Sequence, residues 1–162
     1  MAQIRYGYTT PAGVPGGLKD LSRYDIVTRL NSEDDGNLRF GLGVVQGESK
    51  GNEIQLPDSM SKVEEFEGIT MTGFTTEQDM YGNVRIAKDA AVGILNYGKA
   101  WVRVADDADC VYGGSVYMVT DGDSKGYLTT EDDDTVTKIK INARWIGSKM
   151  GKIAPIELFN SK

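Results

Sequence analysis

The chain is a succession of short runs of β-branched and aromatic residues, each ended by glycine, proline, asparagine or aspartate. Such runs predict β-strands separated by turns. In the middle of the chain, Lys99–Ala105 and Ser115–Thr120 flank an acidic loop and a Gly113–Gly114 turn, which predicts a hairpin-like unit. About nine runs recur at a spacing of roughly 8–12 residues, as is typical of sandwiches and barrels. We therefore predict a mostly β fold, a small antiparallel β-barrel or sandwich.

The predicted strands cover much of the chain after residue 23. In order they are Tyr24–Leu30, Leu38–Gln46, Glu53–Leu56, Val84–Ala87, Ala91–Leu95, Lys99–Ala105, Ser115–Thr120, Lys138–Ile146 and Ile153–Phe159. Ser59–Glu67 fits one helical turn, and a strand between Val63 and Phe74 is as plausible there. Pro155 predicts that the last strand lies at a sheet edge, because proline cannot donate to the ladder.

Two of the predicted strands alternate regularly between apolar and other residues. In the first, one face carries Leu38, Phe40, Leu42 and Val44. Gly41 and Gly43 on its other face indicate a close backbone neighbour or a bulge. In the second, one face carries Ile139, Ile141, Ala143 and Trp145, and the other carries Lys138, Lys140, Asn142 and Arg144. We predict that the second is an edge or surface strand with a basic outer face.

Residues 1–23 contain two prolines and four glycines, which interrupt any regular period. We predict an extended N-terminal arm over residues 1–23, followed by a single β-rich domain over residues 24–162. Ordering an arm costs about 1–2 kcal/mol per residue, so its apolar side chains must be buried on some surface. That surface is either the rest of the same domain or another subunit, and the residues do not decide between them.

The chain has 162 residues, enough for one domain with its own core. It lacks a run of about 18 apolar residues, so we expect no membrane partner. The N-terminus has no apolar segment of the kind found in secretory signals, so we expect synthesis in a cytoplasm.

The net charge of −6 is unevenly distributed. Residues 1–31 carry +2, residues 32–135 carry −13 and residues 136–162 carry +5. A surface of net negative charge makes nucleic acid an unexpected partner. The basic ends either pair with the acidic middle inside one domain or form a basic face that docks on an acidic partner.

No group of residues supports catalysis or a cofactor. The chain has no histidine, which removes Ser-His and Cys-His mechanisms and the commonest metal ligand. The single cysteine, Cys110, is interpreted as a partly buried small residue. Residues Asp121–Asp132 resemble a calcium loop in part, but Lys125 occupies a ligand position and Asp132 replaces the final glutamate, so we interpret the segment as an acidic turn. We expect no catalytic, cofactor or metal site.

Several stretches, taken in order, resemble one family. They are PGGLKDLSRYDIVTRLN, GLGVVQG, FEGIT, DMYGNVRIAKDAAVGILNYGKAWVRVA, YGGSVYMV and INARWIG with GKIAPIELFN. Together they are similar to the structural cement, or capsid decoration, proteins of tailed bacteriophages. The resemblance rests on order and spacing over nearly the whole chain, because each stretch alone is common in β proteins.

The resemblance implies a non-enzymatic virion protein on the outer surface of an icosahedral head. It implies that the protein bridges neighbouring major capsid subunits, its partner, and forms a homo-oligomer, with a trimer favoured. The predicted contact residues are Tyr6, Tyr8, Pro15, Leu18, Lys138, Lys140 and Arg144. We expect that deleting residues 1–20 abolishes head binding and leaves the domain folded.

Two alternatives remain at this stage. One is a tail or spike subunit of a phage, since small β domains are used there as well. The other is a small β-barrel ligand-binding module, which would need a pocket with convergent polar groups.

Overall fold

A computed structural model describes residues 13–34, 36–73, 84, 86–132, 134 and 136–160. Within these ranges the chain forms nine strands and one short 3-10 turn, Val63–Glu65. The strands are β1 (Asp25–Asn31), β2 (Gly43–Gln46), β3 (Glu53–Gln55), β4 (Phe66–Thr70), β5 (Ala91–Arg103), β6 (Ser115–Val119), β7 (Leu128–Thr129), β8 (Lys138–Trp145) and β9 (Ile153–Phe159). The predicted mostly β fold is confirmed.

Five strands close into a small barrel in the order β1, β3, β2, β4, β5, with β5 pairing back onto β1. The β1–β3 pair is parallel, and the other pairs of the barrel are antiparallel. Closure therefore depends on one long antiparallel contact, in which β1 lies along the first half of β5 from Leu30–Ala91 to Asp25–Tyr97.

All nine strands belong to one continuous sheet, and the second half of β5 leads out of the barrel into the rest of it, in the order β5, β9, β8, β6, β7. We call this part the second sheet. The register with β9 runs from Tyr97–Phe159 to Arg103–Ile153. Gly98 lies where β5 changes partners and has a φ of 129°. A Cβ at this position would lie 2.9 Å from the Cβ of Tyr24, so glycine is required for both the backbone angle and the close approach.

Two apolar clusters fill the interior. The larger combines side chains of the second sheet, such as Trp145 and Met118, with barrel side chains such as Phe66. The smaller is built around the barrel strands and includes Val44, Ile54 and Ile94. The Trp145 indole N–H donates to the Ser115 carbonyl at 3.0 Å, so the largest buried side chain satisfies its polar atom.

A buried polar contact joins three barrel strands. Arg29 on β1 donates from Nη2 and Nε to Glu67 Oε1 on β4, at 2.8 and 3.1 Å. Gln46 on β2 donates to Glu67 Oε2 at 3.1 Å. Only 5% of the Glu67 side chain and 21% of the Arg29 side chain are exposed. The pair links β1 to β4, which are not neighbours in the barrel.

The start of the described chain lies on its own domain. Gly16 N–H donates to the Trp101 carbonyl at 2.8 Å, and Lys19 N–H donates to the Lys99 carbonyl at 2.9 Å. Leu18 forms a bridge with Ala100 on β5 and packs against the larger cluster. Of the two surfaces considered for this part of the arm, the structure thus places residues 16–19 on β5 of the same domain.

The predicted hairpin between Lys99–Ala105 and Ser115–Thr120 is wrong. The runs at Ala91–Leu95 and Lys99–Ala105 form one strand, β5, because Gly98 bends the chain without ending the ladder. β5 then pairs with β9, while β6 pairs with β7 and β8. The Gly113–Gly114 turn hydrogen-bonds to Trp145 of β8. In the sheet, β9 and β8 lie between β5 and β6, the two strands that were expected to pair.

The strand Ile153–Phe159, predicted at a sheet edge, lies inside the second sheet, whereas Lys138–Ile146, predicted as an edge or surface strand, is an internal strand whose outer face exposes Lys140 and Arg144. β8 is flanked by β9 and β6, and β9 is flanked by β5 and β8. Pro155 is tolerated inside the sheet because the β8–β9 pairing ends at Trp145–Ile156. The N–H group that proline lacks would therefore lie just outside the paired residues. The Pro155 carbonyl still accepts the Ile146 N–H at 3.1 Å.

The alternation in Leu38–Gln46 predicted which residues are buried more accurately than it predicted the extent of the strand. Leu38, Leu42 and Val44 are buried, but the strand begins only at Gly43. Gly41 has a φ of 80°, which takes the preceding residues out of an extended conformation. Its Cβ would lie 2.9 Å from the Gly16 nitrogen, as expected from the predicted close neighbour.

Other segments differ in detail from the expectation. At Ser59–Glu67 the 3-10 turn precedes β4, so both alternatives considered there are partly correct. The described residues of Val84–Ala87 do not belong to any of the nine strands. Among the residues that the structure describes, no helix has the length and apolar character that a membrane span requires.

Candidate interaction surfaces

The outer face of β8 carries the predicted basic side chains. Arg144 forms an ion pair with Glu157 of β9, with Nε 2.7 Å from Oε2. This carboxylate raises the pKa of Arg144. The guanidinium also lies 5.7 Å from the ring centre of Phe159. The charge of Arg144 is therefore largely compensated by a neighbour on the same sheet.

The two lysines of β8 lie on either side of Tyr117 on β6. Lys138 Nζ is 5.3 Å and Lys140 Nζ is 5.9 Å from the ring centre. Lys138 also donates to the carbonyls of Thr130 and Glu131. Desolvation and the Glu131 carboxylate raise the pKa of Tyr117. Among the described residues, Lys140 has no hydrogen-bond or ion-pair partner, which leaves it the most available of the predicted cations.

The same outer face carries a row of aromatic and cationic side chains. Tyr97 of β5 meets Phe159 of β9 edge-to-face, with ring centres 6.2 Å apart. Arg23 caps one end of the row, 5.3 Å from the centre of the Tyr97 ring, and Arg144 caps the other. Aromatic and arginine side chains of this kind are enriched in protein–protein contacts.

The segment before β1 continues this surface. Lys19 Nζ lies 5.1 Å from the Trp101 ring centre. Asp20 binds Lys99 at 3.1 Å, and its carboxylate also accepts the N–H and hydroxyl of Ser22. Hydrogen bonds from Ser22 and then from Lys99 lower the pKa of Asp20 to about 2. The carboxylate is thus engaged within the domain.

The predicted arm contacts are only partly in view. Pro15 is half-buried, and its carbonyl accepts the Thr72 hydroxyl at 2.7 Å. Leu18 is half-buried on β5, so both residues contact their own domain. Tyr6 and Tyr8 lie outside the described residues.

The loop between β5 and β6 lies next to the last residue of β8, where Gly113 N–H donates to the Trp145 carbonyl. Three aspartates are exposed on it, Asp106, Asp107 and Asp109. Lys149 Nζ donates to the Ala105 carbonyl at 3.0 Å and to that of Asp106 at 2.6 Å, which fixes the start of the loop.

Cys110 lies on this loop and is only 3% exposed, so it is more deeply buried than the partial burial that was predicted. Burial is the main cause that raises the pKa of Cys110 to about 11. A neutral, buried thiol serves packing better than nucleophilic chemistry.

The acidic turn after β6 makes ordinary turn contacts. The Asp121 carboxylate accepts the Gly122 N–H at 2.8 Å, and Gly126 N–H donates to the Val119 carbonyl at 2.9 Å. Within the described ranges, no group of three or more cysteine, aspartate or glutamate side chains is placed to hold a metal ion.

One groove of about 540 Å³ lies between the end of β3 and the turn after β6. Its walls include Glu33, Asp58 and Lys125. The Glu33 carboxylate accepts the Leu56 N–H at 2.9 Å, and that of Asp58 accepts the Met60 N–H at 2.9 Å. These two carboxylates at the wall of the groove therefore already accept hydrogen bonds from the backbone.

The sequence analysis predicted the basic side chains of this outer face but not the aromatic side chains beside them. Tyr97, Tyr117 and Phe159 come from three strands that are far apart in sequence, and only the register of the sheet brings them together. Arg23 was assigned to the arm. The available signal was the alternation in β9, where Glu157 and Phe159 point away from the buried Ile156 and Leu158.

Comparisons with known proteins agree with this architecture. The sequence profile of a family described as "Structural cement protein (E217 gp24/Pam3 gp6)" matches residues 2–159. No curated protein sequence matches the chain significantly. A chain of the solved structure titled "The capsid of Myoviridae Phage XM1" has the same fold, with a TM-score of 0.72, 18% identity and coverage of 94% of each chain. Because the family match spans nearly the entire sequence, the chain belongs to the structural cement protein family.

Proposed function

We propose that the protein binds the outer surface of an icosahedral phage head and cements neighbouring major capsid subunits. The observation that carries this proposal is the family match over residues 2–159. The fold shared with a chain of a phage capsid structure supports it. In this role the protein is a virion component made in the host cytoplasm, acts as a homo-oligomer, with a trimer favoured, and has no catalytic task.

The outer face of β8 is the proposed capsid contact. It combines cations with the aromatic rings of Tyr117 and Phe159 on neighbouring strands. Lys140 is the cation with most freedom to meet an acidic capsid surface, whereas Arg144 and Lys138 stabilise the face itself. Contacts that are weak in one copy become strong when an oligomer presents several of them together.

The arm is the second proposed contact. Leu18 bridges Ala100 on β5, and the Pro15 carbonyl accepts the Thr72 hydroxyl after β4, so these two contacts hold the base of the proposed arm. Tyr6 and Tyr8 remain the proposed aromatic anchors on a neighbouring subunit. Deleting residues 1–20 would also remove the hydrogen bonds of Gly16 and Lys19 to β5, so deleting residues 2–12 is the sharper test.

The decisive experiment is add-back to purified heads that lack this protein, imaged by cryo-electron microscopy. We expect new density over the junctions between capsid subunits. Lys140→Glu should lower occupancy at a fixed protein concentration, and deletion of residues 2–12 should abolish it. Lys50→Glu is the matched control, because Lys50 is exposed on the β2–β3 turn.

Identical head density with and without the protein would contradict the proposal. The competing assignment to a tail or spike would then be tested by separating heads from tails and finding which fraction retains the chain.

A further inference from the structure

The segment before β1 carries two cations, Lys19 and Arg23, that lie over aromatic rings. Lys19 and Arg23 lie over the rings of Trp101 and Tyr97, and among the described residues neither has a carboxylate partner. Asp20 between them is engaged by Lys99 and Ser22. Leu21 is 86% exposed at the centre of the group. We call Lys19, Leu21 and Arg23 the basic segment.

The loop between β5 and β6 has the opposite character. The carboxylates of Asp106, Asp107 and Asp109 are exposed, and none has a hydrogen-bond or ion-pair partner in the described part of the chain. Val111 and Tyr112 are 60% and 71% exposed on the same loop. We call residues 106–112 the acidic loop. Charges around an exposed apolar or aromatic side chain are the usual anatomy of a protein contact.

These two surfaces belong to different parts of the domain. The basic segment follows one edge of β5, where Lys19 N–H bonds to Lys99. The acidic loop is fixed near the end of β8, where Gly113 N–H donates to the Trp145 carbonyl at 2.8 Å. No hydrogen bond or ion pair between described residues joins them within the chain. Their complementary charges therefore remain available to other molecules.

We infer that the acidic loop of one copy docks against the basic segment of a neighbouring copy. The inference rests on the proposed function, since it describes how copies meet on the head. Because the two surfaces differ, the contact is heterologous, and its repetition around an axis closes a ring such as the proposed trimer. Lys19 and Arg23 meet the aspartates, while Leu21 meets Val111 and Tyr112.

The first test is zero-length crosslinking on decorated heads. A mixture of ¹⁴N- and ¹⁵N-labelled full-length protein is bound to heads and treated with a carbodiimide, which couples lysine amines to carboxylates in contact. We expect peptides that join Lys19 to Asp106, Asp107 or Asp109 and carry both labels. Crosslinks that carry a single label throughout would show that the contact lies within one chain and would overturn the inference.

The second test reverses charges. Lys19→Glu with Arg23→Glu should raise the concentration needed for half-maximal decoration about tenfold. Adding Asp106→Lys and Asp107→Lys to that variant should restore decoration to within about twofold of wild type, because the swapped charges are complementary again. The control is Lys50→Glu with Lys152→Glu, which changes net charge equally at two exposed sites.

The outcomes separate this inference from the proposed function. If the wild-type protein does not decorate heads, both fall. If it decorates heads but the Lys19→Glu, Arg23→Glu variant behaves like its control, or the swapped variant is not rescued, only the contact between copies is overturned.

Discussion

Removing one partner of the Arg29–Glu67 ion pair should destabilise the barrel far more than removing both. The guanidinium and carboxylate are 2.8 Å apart at their nearest atoms, and their side chains are only 21% and 5% exposed. At an effective dielectric constant of about 20 and about 4 Å between charge centres, their attraction is about 4 kcal/mol. Breaking a buried pair costs about 3–5 kcal/mol, because the remaining group keeps the cost of its burial but loses the opposite charge that lay 2.8 Å away.

The two single variants should differ in a defined direction. Arg29→Met leaves the carboxylate of Glu67, the more buried group, and should cost about 3–5 kcal/mol. Glu67→Leu leaves a guanidinium that reaches solvent in part, so we expect about 2–3 kcal/mol. The double variant replaces the pair by apolar side chains and should lie within about 1–2 kcal/mol of wild type.

The assay is equilibrium unfolding in urea, followed by the fluorescence of Trp101 and Trp145, with calorimetry as the second measurement. For a domain of this size, 3 kcal/mol corresponds to about 6–12 °C in Tm. A coupling free energy near zero, with the double variant as unstable as the two single effects added together, would refute the reasoning. It would mean that β1 and β4 are held together by packing alone.

Three further predictions follow from individual residues. Cys110 should resist maleimide in the native state and react quickly in urea. Because its pKa is about 11 in the folded protein and its ordinary value is 9.0, its contribution to stability should be constant below pH 9 and decline between pH 9 and 11. Cys110→Ala should remove that decline. Asp20 should hold the basic segment on β5 above pH 4 and release it as the pH falls from 3.8 towards 2. Faster hydrogen exchange of the Lys19 amide would report this release. In Asp20→Asn the Lys19 amide should exchange fast already at pH 7. Gly98→Ala should lower the free energy of unfolding by about 2–4 kcal/mol, since the new Cβ meets Tyr24. The control Gly51→Ala, at a φ of 82° with open space around the new Cβ, should lower it by about 1 kcal/mol. Equal losses would contradict the role given to the Tyr24 contact.

Local patterns predicted which side chains are buried. The alternation in Lys138–Ile146 correctly separated Ile141 and Trp145 from the exposed Lys140 and Arg144, because the two-residue period of a strand is a property of the chain itself. The partial burial of Cys110 and the mostly β class were predicted in the same way, from residue type and spacing.

Partner choice between strands was not predictable by those means. The edge position predicted for Ile153–Phe159 is wrong because β9 pairs with β5, which is distant in sequence, as well as with β8. Likewise, Ala91–Leu95 and Lys99–Ala105 were predicted as separate strands, whereas Gly98, with a φ of 129°, lies where the single strand β5 changes partners. The aromatic row of Tyr97 and Phe159 depends on that same register. Such pairings are decided by the summed burial of both sheets, which no local window contains.

The length of β5 has a mechanical consequence. Because one unbroken backbone runs from the barrel into the second sheet, a pull on either part is passed to the other along covalent bonds. The β5–β9 ladder and the Lys19–Lys99 hydrogen bond lie along that strand, so a force parallel to it loads many hydrogen bonds at once instead of opening them one by one. If the protein decorates a phage head as proposed, copies oriented with β5 along the direction in which the shell stretches would resist that stretch most stiffly. A force-spectroscopy comparison of attachment points at the two ends of β5 with points across the sheet would measure this anisotropy.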